Sequence, residues 1–164
     1  MSRTTWLCAA LLGGLAAGMA QAQDNVSIIT VRVTVNATPC QINNNQIIEV
    51  NFGENVITTE VAKGIYEQEV DYSLDCTNAD QRKTLVMRIS GDKATFGNNV
   101  LGTSFDELGV KLKADGQDFP LNTGLLLASS ASKPVLSAQL VQKPDTRLPT
   151  GRFTAGATMT VDYQ

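Results

Sequence analysis

The last fourteen residues, Gly151 to Gln164, place every apolar side chain on an odd number: Phe153, Ala155, Ala157, Met159, Val161 and Tyr163. Successive side chains of a β-strand point to opposite faces, so this row marks one face of a strand. The sequence stops at Gln164, and the strand is therefore expected to leave one edge open. A long alternating edge without a neighbour is a template for pairing with another chain. A second such pattern stands near the other end. Ile29, Val31, Val33 and Val35 also take odd positions, and no Gly or Pro interrupts the chain between Asp24 and Pro39. An open edge at one end and a spare strand at the other are what head-to-tail polymerisation requires.

Residues 1–22 are set apart from the fold. Arg3, the apolar run from Trp6 to Gly18 and the small-residue site Ala20-Gln21-Ala22 have the order of a secretory signal peptide. The run falls short of the ~20 apolar residues that cross a membrane, so no membrane span is expected in the mature chain. The remainder, roughly 140 residues, suits one domain with its own core. Residues 23–36 read as an N-terminal extension lying outside the part bounded by the cysteines, and 37–164 as the domain.

Export removes the cytosolic reductants, and beyond the signal peptide the chain holds two cysteines, Cys40 and Cys76. They are expected to form a disulfide, contributing roughly 3–4 kcal/mol in the loop-entropy model. Their spacing fits neither C-x-x-C nor a zinc pattern. With no histidine in the chain, no imidazole can complete a metal site, and a Ser-His-Asp arrangement is excluded. Ser130-Ala-Ser-Lys133 matches S-x-x-K, but no S-D-N or K-T-G follows it. The acidic pairs Asp106-Glu107 and Asp115/Asp118 lack calcium-loop spacing. The expectation is a protein that is not an enzyme, with no catalytic residue, cofactor or metal. The formal charge of −3 and the scattered Lys and Arg give no basic stripe for nucleic acid.

Period-2 alternation recurs along the chain, and no stretch of helical length holds a 3.6 period. Val70, Tyr72, Leu74 and Cys76 oppose Glu67, Glu69, Asp71, Ser73 and Asp75. Further inward rows are Ile48, Val50 and Phe52; Leu85, Met87 and Ile89; Val110 and Leu112; and Leu136, Ala138 and Leu140. Turn chemistry separates them, with Asp115-Gly116 the strongest hairpin signal. This predicts an all-β, immunoglobulin-like antiparallel sandwich. From patterning alone, a self-contained secreted β-sandwich binding module of adhesin or lectin type remains open; in it the terminal strands would pair with each other.

An alternating extension, a cysteine, a second cysteine 36 residues on, a Gly fourteenth from the end (Gly151) and a penultimate Tyr (Tyr163) form a joint pattern. It resembles the subunits of chaperone–usher fimbriae, the pilins of Gram-negative bacteria. The resemblance implies an incomplete immunoglobulin-like fold with an open groove. A periplasmic chaperone lends a strand to that groove, and at the outer-membrane usher a neighbouring subunit's extension replaces it, a case of β-strand addition. On this reading Ile29, Val31, Val33 and Val35 are the donor strand. Gly151, Phe153, Ala155, Ala157, Met159, Val161 and Tyr163 are the groove edge and the chaperone zipper. The partners implied are the chaperone, the usher and neighbouring pilins; the place is a fimbrium on the cell surface, reached through the periplasm, where it supports adhesion. One position departs from the pattern, because Val33 stands where the family usually has Gly. That substitution implies another register or a roomier recipient groove. An Ala content below that of a shaft pilin points to a minor subunit.

Overall fold

The computed structural model describes residues 39–129 and 131–164. The signal peptide, the extension with Ile29, Val31, Val33 and Val35, and Ser130 of the S-x-x-K match lie outside the described residues. Along the described chain the strands are β1 (Gln41–Ile42), β2 (Glu67–Glu69), β3 (Leu74–Asp75), β4 (Leu85–Gly91) and β5 (Val100–Gly102). They continue as β6 (Leu108–Ala114), β7 (Gln117–Asp118), β8 (Gly124–Leu127), β9 (Leu136–Gln142) and β10 (Ala157–Tyr163). One helical turn, α1 (Thr58–Val61), lies between β1 and β2.

The strands form two main sheets. One has the order β10-β4-β8; the other runs β2-β9-β6-β5, with β7 added to β6. A short ribbon pairs β1 with β3. Every pairing among these strands is antiparallel. The longest ladders are β6 on β9, from Leu108↔Gln142 to Ala114↔Leu136, and β10 on β4, from Ala157↔Gly91 to Tyr163↔Leu85.

The period-2 rows decide which side of each sheet turns inward. Leu85, Met87, Ile89 and Leu127 from the first sheet join Leu108, Val110, Leu112, Leu136, Ala138 and Leu140 from the second in one buried cluster. Met87 and Leu140 are completely enclosed. The Val70, Tyr72 and Cys76 row is buried as its alternation predicts, with Leu74 half-buried against the same core. Asp115 and Gly116 take φ of 50° and 76°. Both positive values fit the tight turn that matches strand twist, and the turn joins β6 to β7.

Regular strand begins at Ala157 rather than at Gly151. The reason lies in its partner. After Gly91 the chain of β4 leaves the first sheet and pairs with β5: Lys93 bridges Leu101, and the Gly102 N–H donates to the Asp92 carbonyl at 2.8 Å. Residues 151–156 therefore have no β4 backbone to pair with. Gly91 suits this crossover because a Cβ there would meet the Leu101 Cδ1 at 2.5 Å and the Gly156 carbonyl oxygen at 3.0 Å.

Candidate functional site

Strand β10 pairs with β4 on one side, and among the described residues no strand pairs with its other side. Its odd-numbered face is graded. Val161 is buried, Met159 and Tyr163 are half-buried against the core, and Ala157 is exposed, as is Ala155 just before the strand. Phe153 packs half-buried at the far end of the row, next to Gly151. The structure therefore brings Phe153, Met159, Val161 and Tyr163 onto the core and leaves the small Ala155 and Ala157 uncovered.

A second apolar row packs against the same core. Ile48, Val50, Phe52 and Val56 are half-buried against the same core, while Ile47, Glu49, Asn51 and Gly53 between them are exposed. This stretch alternates like a strand but belongs to no sheet. Its start is set by three successive asparagines, Asn43 to Asn45, with φ of 48°, 49° and 60°; asparagine tolerates that left-handed region better than most residues. The Asn43 side-chain amide donates to the carbonyls of Gln46 and Ile47. Its far end is fixed where the Ile57 N–H donates to the Tyr66 hydroxyl at 2.8 Å. The Phe52 and Phe153 rings meet with centroids 6.2 Å apart. Among the described residues no hydrogen bond joins this stretch to β10. The two apolar rows thus meet at the Phe52 and Phe153 rings, with no backbone ladder between them among the described residues.

Both ends of the β10 rim are anchored. The Asp80 N–H donates to the Tyr163 hydroxyl at 2.7 Å, the Lys83 ammonium lies 4.7 Å from the centre of the Tyr163 ring, and the Gln164 N–H donates to the Thr84 carbonyl at 3.0 Å. At the other end the Ser104 N–H donates to the Thr154 carbonyl at 2.8 Å, and the Thr154 N–H donates to the Ser104 hydroxyl at 3.1 Å. Beside that end a cavity of about 530 Å³ opens, with Asp92, Lys93, Thr103 and Asp106 on its polar wall beside Phe105 and Ala155, and with no residue of the 48–56 row on it. The Cys40–Cys76 disulfide is present, with both residues buried. It ties the residue before β1 to the residue after β3, and so holds the root of the second rim.

The titratable groups do structural work. Lys113 at 2.6 Å, then the Ser137 hydroxyl at 2.5 Å, hold the Glu67 carboxyl below its ordinary value and link β6, β9 and β2 on the outer face. Burial, followed by the Asp115 carboxylate, pushes Tyr72 up to about 12, and its hydroxyl donates to the Pro134 carbonyl at 2.7 Å. Lys133 of the S-x-x-K match places its ammonium 4.6 Å from the centre of the Tyr72 ring, a packing role. Among the described residues no cluster of His, Cys, Asp or Glu could hold a metal ion. No helix among them is long and apolar enough to cross a membrane.

The model of the fimbrial protein family matches residues 29–164. Two fimbrial-like proteins of Escherichia coli K12 are similar over 141 residues: YfcQ at 32% identity, covering 83% of this chain and 86% of YfcQ, and YfcR at 34%, covering 83% and 80%. Among solved structures, the P pilus adaptor subunit PapF superposes with a TM-score of 0.58 at 24% identity, covering 80% of this chain and 100% of PapF. The P pilus rod subunit PapA gives 0.60 at 18%, covering 84% and 100%. The chain belongs to the fimbrial protein family, and its all-β sandwich is the immunoglobulin-like fold of chaperone–usher pilus subunits. As a fimbrial protein it is a structural subunit of a surface pilus, which implies export, and not an enzyme.

The rim Ile48, Val50, Phe52 was visible in the sequence as an inward row, but not as the partner of the C-terminal strand. The loop anchoring Tyr163 through Asp80 and Lys83 carried no signal, because nothing local links positions so far apart.

Proposed function

We propose that this subunit polymerises by strand donation: the extension of one copy of a pilin enters the groove between the two apolar rims of the next. The observation that carries the reading is the β10 edge, apolar on one face and without a paired strand among the described residues. Residues 1–22 direct export, 23–36 are the donor extension, and 37–164 are the body. In the periplasm a chaperone strand covers the groove, held along Phe153, Ala155, Ala157, Met159, Val161 and Tyr163 after the turn at Gly151. The outer-membrane usher is where the extension of the following subunit replaces it, and the fimbrium that results supports adhesion. Ile29, Val31, Val33 and Val35 each gain roughly 1.5–3 kcal/mol on full burial, and the backbone bonds of an added strand contribute about 0.5–1.5 kcal/mol apiece.

The test is a pair of charges on opposite faces of the extension. Val31→Asp buries an unpaired carboxylate, costs several kcal/mol and should abolish fibre assembly while leaving chaperone co-purification intact. Arg32→Asp, on the other face, should leave assembly near normal. Equal loss from both substitutions, or failure of a chain starting at Thr38 to fold with the chaperone, would assign the extension to the domain's own core.

A further inference from the structure

We infer that the free edge of β8 joins copies of this chain sideways, pairing with the same edge of a second copy in a neighbouring fibre. The strand orders of the two main sheets end at β10, β8, β2 and β5. The β10 edge belongs to the site described above. The β5 edge is covered by the chain that follows β4: Lys93 bridges Leu101, and the Ala94 N–H donates to the Val100 carbonyl at 2.8 Å. The β2 edge is guarded by charge, because Glu67 and Glu69 stand exposed on either side of Gln68, and carboxylates on an edge strand repel a second copy of it. The β8 edge carries neither device. Among the described residues no strand pairs with its outer side, and residues 121–132 hold no charged residue and no proline.

The side chains of β8 alternate. Leu127 is buried and Leu125 packs half-buried on the core, whereas Leu126 is 59% exposed beside its half-buried cross-strand partner Val86. At Gly124 a Cβ would meet the Val86 Cγ1 at 2.5 Å, so glycine there lets Val86 lie across β8 and extend the apolar surface of Leu126. The start of the strand is held firmly. The Asn122 N–H donates to the Ile89 carbonyl at 2.8 Å, and the Asn122 side-chain amide accepts from the Gly91 N–H and donates to the Gly91 carbonyl, each at 3.2 Å.

The occupant that fits such an edge is its own copy. With no charge on either side nothing repels, and a two-fold axis through Leu126 makes the pairing antiparallel, like every other in the fold. In that register Leu126 faces the second copy's Leu126, and Leu125 pairs with Leu127. The core sides of both sheets then lie on one side, and the two exposed leucines cover each other on the other. Strand β4 separates β8 from β10, so a strand added at β10 leaves this edge open. Four residues pair weakly alone, but a fibre built from this chain repeats the edge at every subunit, and the contacts act together.

Fibres assembled from the full chain test this beside two variants. Leu126→Lys sets like charges directly opposite each other at the axis, and Glu69→Gln changes the net charge equally on the guarded edge. Native and Glu69→Gln fibres should lie side by side in electron micrographs and pellet at low speed. Leu126→Lys fibres should stay single at unchanged length, with most of the pelleted protein lost. Native fibres that stay single, bundles that survive Leu126→Lys, or equal loss from both substitutions would overturn the lateral contact. If Leu126→Lys does not assemble, Leu126→Cys decides on the chain bound to its periplasmic chaperone. With Cys40 and Cys76 already joined, a short bismaleimide should bridge that chain into covalent dimers and nothing larger. Absence of dimers overturns the lateral contact, whatever links subunits along the fibre.

Discussion

Tyr72 joins the two ends of a long-range contact, and its ionisation gives a stability signature that can be worked out in advance. The residue is 3% exposed, and its hydroxyl donates to the Pro134 carbonyl, 62 residues away in sequence. Tyr72→Phe keeps the ring beneath Lys133 but leaves that carbonyl without its donor, at a cost of about 1–2 kcal/mol near neutral pH. Burial raises the phenol from 10.0 to about 12. A group whose folded value is raised contributes stability that is complete below its unfolded value and is lost as pH rises through the folded one. For Tyr72 the window is therefore pH 10 to 12. At about pH 11 the unfolded phenol is mostly ionised and the folded one mostly neutral, so the native chain has lost about 1.4 kcal/mol relative to neutral pH. The phenylalanine variant has no such loss. Urea unfolding of both proteins at neutral pH and near pH 11 should show the gap between them shrinking by about that amount, with other titrations cancelling in the difference. Two stability curves that stay parallel across this range would refute the burial of Tyr72 and its bond to Pro134.

Removing the disulfide with Cys40→Ala and Cys76→Ala should cost about 3–4 kcal/mol, given the separation of 36 residues; a shift in urea midpoint worth under about 1 kcal/mol would contradict it. Gly91→Ala should cost about 1–3 kcal/mol through overpacking, because the new Cβ meets Leu101 and the Gly156 backbone, and amide exchange should report loosening at the start of β10. Leu140→Ala, at a fully enclosed position, should cost about 2–5 kcal/mol, measured by the same unfolding assay.

What was legible in the sequence was what depends on local period and turn chemistry. The rows at Val70 to Cys76, Leu85 to Ile89 and Leu136 to Leu140 are core because each strand has one wet face, and Asp115-Gly116 reads as a hairpin from its own backbone preference. The start of β10 was not legible, since alternation runs unbroken from Phe153 while the ladder ends where β4 crosses to β5 after Gly91. That boundary belongs to the partner strand and not to β10. The pairing of the Phe52 rim with Phe153, and the anchoring of Tyr163 by Asp80 and Lys83, join residues about a hundred apart or come from a turn with no periodic pattern. Family resemblance reached the disulfide, but the grading from large to small along β10 emerged only from the burial of individual residues.

The central claim is that the open side of β10 receives a strand from another molecule, and an engineered crosslink tests it most directly. A chain carrying Val31→Cys and Met159→Cys, with Cys40 and Cys76 already joined, is assembled into fibres and oxidised. The account predicts a ladder of covalent dimers and higher multimers on non-reducing gels, lost on reduction and absent when the first substitution is moved to Arg32. Monomers closed by an internal bond between the two introduced cysteines, with no ladder, would mean that the extension fills its own groove, and the polymerising account would fail.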